Sequence, residues 1–226
     1  MAGMGVLSKL AVKAAKTALK DAPYFPPGSP ERAANLARAM EGVYPSLLRE
    51  TREPRVLYHG TDAEDGFPAF DMAKSEDLGA HFGTRAAANR RLRALGATED
   101  RVGHILPVHL ALKNPLRLPD LGTWSEGNLI EALGGIVPSG VLNRIGRDIS
   151  NMGDPQKALA DLKAAIVKQR YDGIVYDNSF EGGGNSYVAF DPRQIKSIFN
   201  RGTFDRKNPD MLKARGGRVS SFAVRR

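Results

Sequence analysis

A chain of 226 residues, 42% of them hydrophobic, can bury one core and carry extensions on it. It has no cysteine, which excludes a disulfide framework and a thiolate metal site, and it has no apolar run long enough to span a bilayer. The formal charge of +8 sits at the ends: residues 1–20 carry +4 and residues 201–226 carry +6, leaving 21–200 at −2. Basic ends suit an anionic partner: nucleic acid, a membrane surface or an acidic protein face. Lysines interrupt the N-terminal region where a secretory signal needs an apolar run, so no signal peptide is expected and the expected location is cytoplasmic.

In chain order, residues 1–21 read as a basic amphipathic helix with its lysines on one stripe. Residues 22–29 are a Pro-rich linker. Residues 30–54 form a helical lead-in that opens with Ser29 as N-cap, Pro30 at the first helical position and Glu31 in the first turn, and that halts at Gly42. Val56-Leu57-Tyr58 is a strand broken by the turn His59-Gly60-Thr61. In the acidic loop that follows, Phe67 and Phe70 are expected to pack down as anchors. Ala80 to Gly83 reads as a short strand, and Thr84 caps an alanine-rich helix from Arg85 to Leu95.

Val102 to Leu118 holds two strands around Lys113-Asn114-Pro115, with the prolines placing the first at an edge or a strand end. His104 and His109 lack a partner at metal spacing and read as structural or surface residues, and Trp124 reads as a core plug. Two short helices, broken at Gly134-Gly135 and Pro138, precede a helix opened by Asp154-Pro155. A β run ends at Tyr176-Asp177-Asn178. The glycine loop 179–185 after it, read as mobile, carries Glu181. Strands at Ser186–Phe190 and Gln194–Ile198 follow, and little order is expected beyond Asn200. Gln194 is expected to satisfy backbone groups. Short strands with helical inserts and no βαβ alternation give an α+β class. The dinucleotide G-x-G-x-x-G, the P-loop and H-E-x-x-H are all missing.

Two turns carry the chemistry. At a strand end the His59 ring faces whatever lies past the sheet edge, Gly60 lets the backbone approach a flat ligand, and Thr61 adds a hydroxyl, which together suit a ligand offering a hydroxyl and an amide. His81 and Phe82 stand at a strand-to-helix turn with Gly83 and Thr84, where a helix N-terminus receives an anion. The same residue types also fit a histidine capping a turn and a half-buried edge-strand histidine.

Four blocks in order resemble a known family: Tyr58-His59-Gly60-Thr61; Gly79-x-His81-Phe82-Gly83-Thr84; Gly173-Ile174-Val175-Tyr176-x-Asn178-x-x-Glu181; and Ser186-Tyr187-x-x-Phe190-Asp191-Pro192-x-Gln194-Ile195-Lys196-Ser197. They are similar to the ADP-ribosyltransferase-like domains of phage and mobile-element polyvalent proteins, distant relatives of diphtheria toxin and the poly-ADP-ribose polymerases. The resemblance implies such a domain over 55–205, followed by a basic tail over 206–226. It implies a split, bent β-sheet holding NAD as substrate between its halves, no metal, release of nicotinamide, and transfer of ADP-ribose to a protein or nucleic-acid acceptor. It implies that His59 bonds a ribose hydroxyl, that Gly60 pairs with the nicotinamide amide, and that His81 stands where the polymerases stack a tyrosine. Ser186 falls where those enzymes carry a catalytic glutamate, so Glu181 is the candidate replacement. Catalytic roles thus fall on His59, His81 and Glu181. Cofactor contacts fall on Tyr58, His59, Gly60, Thr61, His81, Phe82, Gly83, Thr84, Asn178, Ser186 and Tyr187. The serine leaves two other readings open: a non-catalytic phage or prophage binding protein, and an RNA-directed enzyme like the 2′-phosphotransferases, held on RNA by the basic ends.

Overall fold

The computed structural model describes residues 24–63, 67–75, 77–94, 103–151, 153–181 and 183–211. The helix expected over 1–21 and the tail beyond 211 lie outside the described residues. Helix α1 (Pro30–Ala39) starts as its local chemistry dictates, with the Ser29 hydroxyl accepting from the Arg32 amide. The rest of the lead-in docks on the domain: Met40, Val43 and Leu47 are buried, and the Tyr44 amide donates to the Leu112 carbonyl at 2.8 Å.

The strands are β1 (Leu57–Thr61), β2 (Ala80–Phe82), β3 (His104–Leu110), β4 (Pro115–Leu118), β5 (Gly173–Asp177), β6 (Asn185–Ala189) and β7 (Ile195–Ser197). They form two sheets, ordered β1-β3-β7 and β2-β6-β5-β4. All neighbours are antiparallel except β4 and β5. Helix α2 (Arg85–Ala94) packs on β1, while α3 (Glu126–Ala132), α4 (Ser139–Ser150) and α5 (Pro155–Lys168) cover one face of the four-stranded sheet. The two-residue period of the strands sorts the core. Ile174, Tyr176 and Val188 face the helices, whereas Val175, Tyr187, Ala189, Ala80 and Phe82 face the three-stranded sheet. The α+β class and the split sheet of an ADP-ribosyltransferase fold are thus present.

Four expectations are corrected. His59-Gly60-Thr61 does not break the strand in a turn: it continues β1, paired with Leu106, Ile105 and His104 of β3. Strand β3 is central, not an edge. Pro107 is tolerated there because β7 ends at Ser197, and only the Pro107 carbonyl is used, accepting from the Ile198 amide. The stretch 201–211 is ordered. Phe204 and Met211 are buried, Met211 donates its amide to the Pro68 carbonyl at 2.7 Å, and its own carbonyl accepts from the Ser197 amide at 3.1 Å. Arg32 braces the same region, donating to the carbonyls of Asn200 (2.6 Å), Ile198 (2.7 Å) and Phe25 (3.2 Å). The glycine loop after β5 is pinned rather than loose. Asp120 accepts from the amides of Ser179 and Phe180, Arg90 donates to the Phe180 carbonyl, and the Asn178 backbone bonds Gly183 and Gly184, both at positive φ. Gln194 does bond backbone, accepting from Phe190 and Asp191 and donating to Asp172, but at the end of β6 away from Ser186.

Candidate active site

The two sheets meet at a single rung, where Tyr58 and Gly83 exchange both backbone hydrogen bonds at 3.0 Å. Continued in register, the next rung would pair Gly60 with His81. It does not form, because the bridge is isolated and the His81 carbonyl instead accepts from the His59 ring nitrogen Nδ1 at 2.8 Å. Burial pushes the His59 imidazole down to about 4, and the nearby His81 and Arg91 depress it further. The ring is therefore neutral at pH 7, with its proton on Nδ1 and an acceptor lone pair on Nε2. The Gly60 N–H and C=O point the same way as those of Tyr58, away from β3, and have lost the partner that a closed ladder would supply. Phe70 and Phe82 flank the His59 ring at centroid distances of 5.0 and 5.4 Å, and Phe67 backs Phe70, so the loop aromatics are the expected anchors.

Gly60 is needed for a reason that the strand alone does not show. A Cβ there would lie 2.6 Å from the Ala88 carbonyl oxygen and 3.0 Å from Leu92, so the missing side chain lets α2 close on β1. Gly83 is constrained in the same way: its Cβ would stand 2.5 Å from Ser186 Oγ.

From His81 a chain of polar contacts crosses the sheet. Its Nδ1 lies 3.3 Å from the Tyr176 hydroxyl, and Tyr176 stands opposite Ser186 in the β5–β6 register. Ser186 Oγ accepts from Asn178 Nδ2 at 3.0 Å, and the same amide donates to Glu181 Oε2 at 2.9 Å. Burial pushes the His81 imidazole to about 4, with Arg91 adding to it, and its Nε2 is buried without a hydrogen-bond partner among the described residues; Asp77 Oδ2 is 3.6 Å away. Burial, then the Glu181 carboxylate, raise the Tyr176 hydroxyl above the usual phenol range, so it stays protonated. Half-buried Trp124 packs on both, 5.3 Å from the His81 ring and 4.8 Å from Tyr176. It packs against the helix-side core, as expected of a core plug, and borders this site as well.

The structure thus brings His59, Gly60, His81, Gly83, Ser186, Asn178 and Glu181 together. Of the two aromatics, Phe82 reaches the site only as a ring against His59, and Tyr187 does not reach it. Both face the three-stranded sheet, buried in the core, and the Tyr187 hydroxyl is tied to Ser46. Thr61 Oγ1 accepts from the Ala63 amide, and Thr84 caps α2, accepting from Ala87. Tyr58 contributes its backbone to the rung, and His109, bonded to the Arg55 carbonyl, is structural. Tyr176 and Trp124 are the residues to which the sequence reading gave no role at the site. Alternation would have found Tyr176, which shares a sheet face with Ser186.

A family model described as ADP-ribosyltransferase in polyvalent proteins matches residues 50–204. The chain belongs to this ADP-ribosyltransferase family. No curated protein and no solved structure matches it. Within the ADP-ribosyltransferase domain all seven strands lie inside the match, whereas α1 and Met211 lie outside it. Among the described residues no group of three or more histidines and carboxylates is set to hold a metal, and no helix is long and apolar enough to cross a membrane.

Proposed function

We propose that this ADP-ribosyltransferase domain takes NAD as its substrate, releases nicotinamide, and passes ADP-ribose to a nucleophile on a macromolecule. The unclosed rung at Gly60 carries the reading. A backbone N–H and C=O side by side, with no ladder partner among the described residues, match a carboxamide, which needs one donor and one acceptor. The neutral His59 Nε2 beside them is an acceptor for a ribose hydroxyl. The Tyr58–Gly83 rung is closed, so the ligand lies on the Gly60 and His81 side of it, where the strands part.

Glu181 is the carboxylate of this site. Its Oε2 shares one amide with Ser186, the position at which relatives carry glutamate, so a loop residue supplies what the strand lacks. As the bond from the ribose to nicotinamide breaks, the electron pair leaves with the ring, and positive charge develops on the sugar. The carboxylate offsets that charge, then takes the proton of the acceptor nucleophile as it bonds to the anomeric carbon.

A second reading, binding without turnover, draws on Ser186 itself. Incubating the full chain with NAD and measuring free nicotinamide separates the two: the proposal expects release that rises with enzyme concentration, and binding with no release sinks it. The RNA-directed reading rests on basic ends that lie mostly outside the described residues; of those described, Arg206 donates inward to the carbonyls of Ala39 and Glu41, Arg201 is buried against Tyr24, and Lys207 is exposed.

A further inference from the structure

Asn178 falls in the family blocks, which suggests a contact to the dinucleotide, yet it is only 2% exposed. Its polar groups are all engaged within the protein. Nδ2 donates to Glu181 Oε2 (2.9 Å) and Ser186 Oγ (3.0 Å), and Oδ1 accepts from the Glu181 amide (2.8 Å). Its own amide donates to the Gly184 carbonyl (2.9 Å), and its carbonyl accepts from the Gly183 amide (2.7 Å).

We infer that Asn178 is the positioning residue that aims the Glu181 carboxylate at the Ser186 corner of the site. The inference rests on the reading of Glu181 given above. Asn178 grips the glutamate twice, once at the main chain and once at the carboxylate, which fixes both where the residue sits and how its side chain turns. The third contact ties that grip to β6. A loop glutamate thereby acquires the fixed geometry that a strand glutamate has from the sheet, and transition-state stabilisation depends on such fixed placement.

Asn178→Asp in the full chain is the test, because it replaces the donor with a second negative charge at nearly constant shape. Nicotinamide release is followed from pH 5 to 9, and NAD affinity is measured by calorimetry. The expected result is a kcat lower by about 10–100-fold, an NAD Kd within about twofold, and an acidic limb of the kcat profile moved upward by about one pH unit, since a like charge raises a carboxylate's pKa. A merely loop-closing Asn178 would change stability or affinity and leave the limb in place, and an unchanged kcat and limb overturn the inference. If Asn178→Asp does not melt as a folded protein, Asn178→Ser, too short to reach both oxygens, is read for the same fall in kcat at constant Kd, and its absence overturns the inference. Glu181→Gln is measured beside them. Wild-type release from that variant overturns the parent reading and this inference together. Lost release there with wild-type release in Asn178→Asp overturns the positioning role alone.

Discussion

The two halves of the active site are built by different means. The histidine corner is made of strands: His59 and Gly60 lie in β1, His81 in β2, and backbone hydrogen bonds hold both. The acidic half is a loop that owes its shape to two side chains, Asp120 at Ser179–Phe180 and Asn178 at Glu181. Strand geometry is shared among many bonds and tolerates single losses, whereas a loop hung on one amide does not. Binding should therefore be robust in this domain, and turnover fragile.

The sharpest way to break that contrast is Glu181→Gln, which keeps the shape and removes the charge. Nicotinamide release should fall by about 10²–10³-fold, roughly 3–4 kcal/mol of transition-state stabilisation, with NAD affinity within a few-fold of wild type. Equal losses of both would place Glu181 in binding and erase the division. Next comes Gly60→Ala. Its Cβ would stand 2.6 Å from the Ala88 carbonyl oxygen, a backbone atom, so α2 must move off β1. The expected cost is about 1–3 kcal/mol in urea unfolding, the range for overpacking a close contact; an unchanged midpoint would show that the helix–strand contact is loose. His59→Ala should weaken NAD binding by about 10–30-fold, roughly 1.4–2 kcal/mol for one lost hydrogen bond and its ring contacts. Wild-type affinity in calorimetry would remove the histidine corner from the site.

The last effect is on pH. His59 and His81 are held down to about 4, below the ordinary histidine value near 6.5, so the unfolded chain takes up protons first as pH falls. Their contribution is complete above about pH 6.5 and is lost between there and pH 4. Stability should decline in that window by up to ~1.4 kcal/mol per pH unit for each histidine. Replacing both with glutamine should flatten that part of the curve, and a curve unchanged by the replacement would mean that the rings are not buried neutral.

Much of the architecture was legible because its causes are local. Ser29, Thr84 and Asp154 cap helices through their own side chains, and Pro30 and Pro155 set the first helical turn, so short windows of sequence suffice. The site was less legible wherever a partner far along the chain decides the outcome. Phe82 adjoins His81 and Tyr187 adjoins Ser186 in sequence, and grouping neighbours together put all four at the site. The alternation of a strand sends each aromatic to the opposite face. The central place of Pro107 depends on how short β7 is, and the order of 201–211 depends on Arg32 and Pro68, more than a hundred residues away. Gly60 was singled out for a ligand alone; its close approach to α2 was not legible, because no window of sequence shows which helix will cross a strand.

The brace described for Met211 and Arg32 bears on how this domain could be excised. A fragment trimmed to the family match, 50–204, would keep every recognisable block. It would lose the guanidinium that gathers the carbonyls of Ile198 and Asn200, and the methionine backbone that stitches Ser197 to Pro68, beneath the phenyl rings resting on His59. A piece spanning 24–211 keeps both, and transplanting the shorter one would carry the motif while leaving its buttress behind.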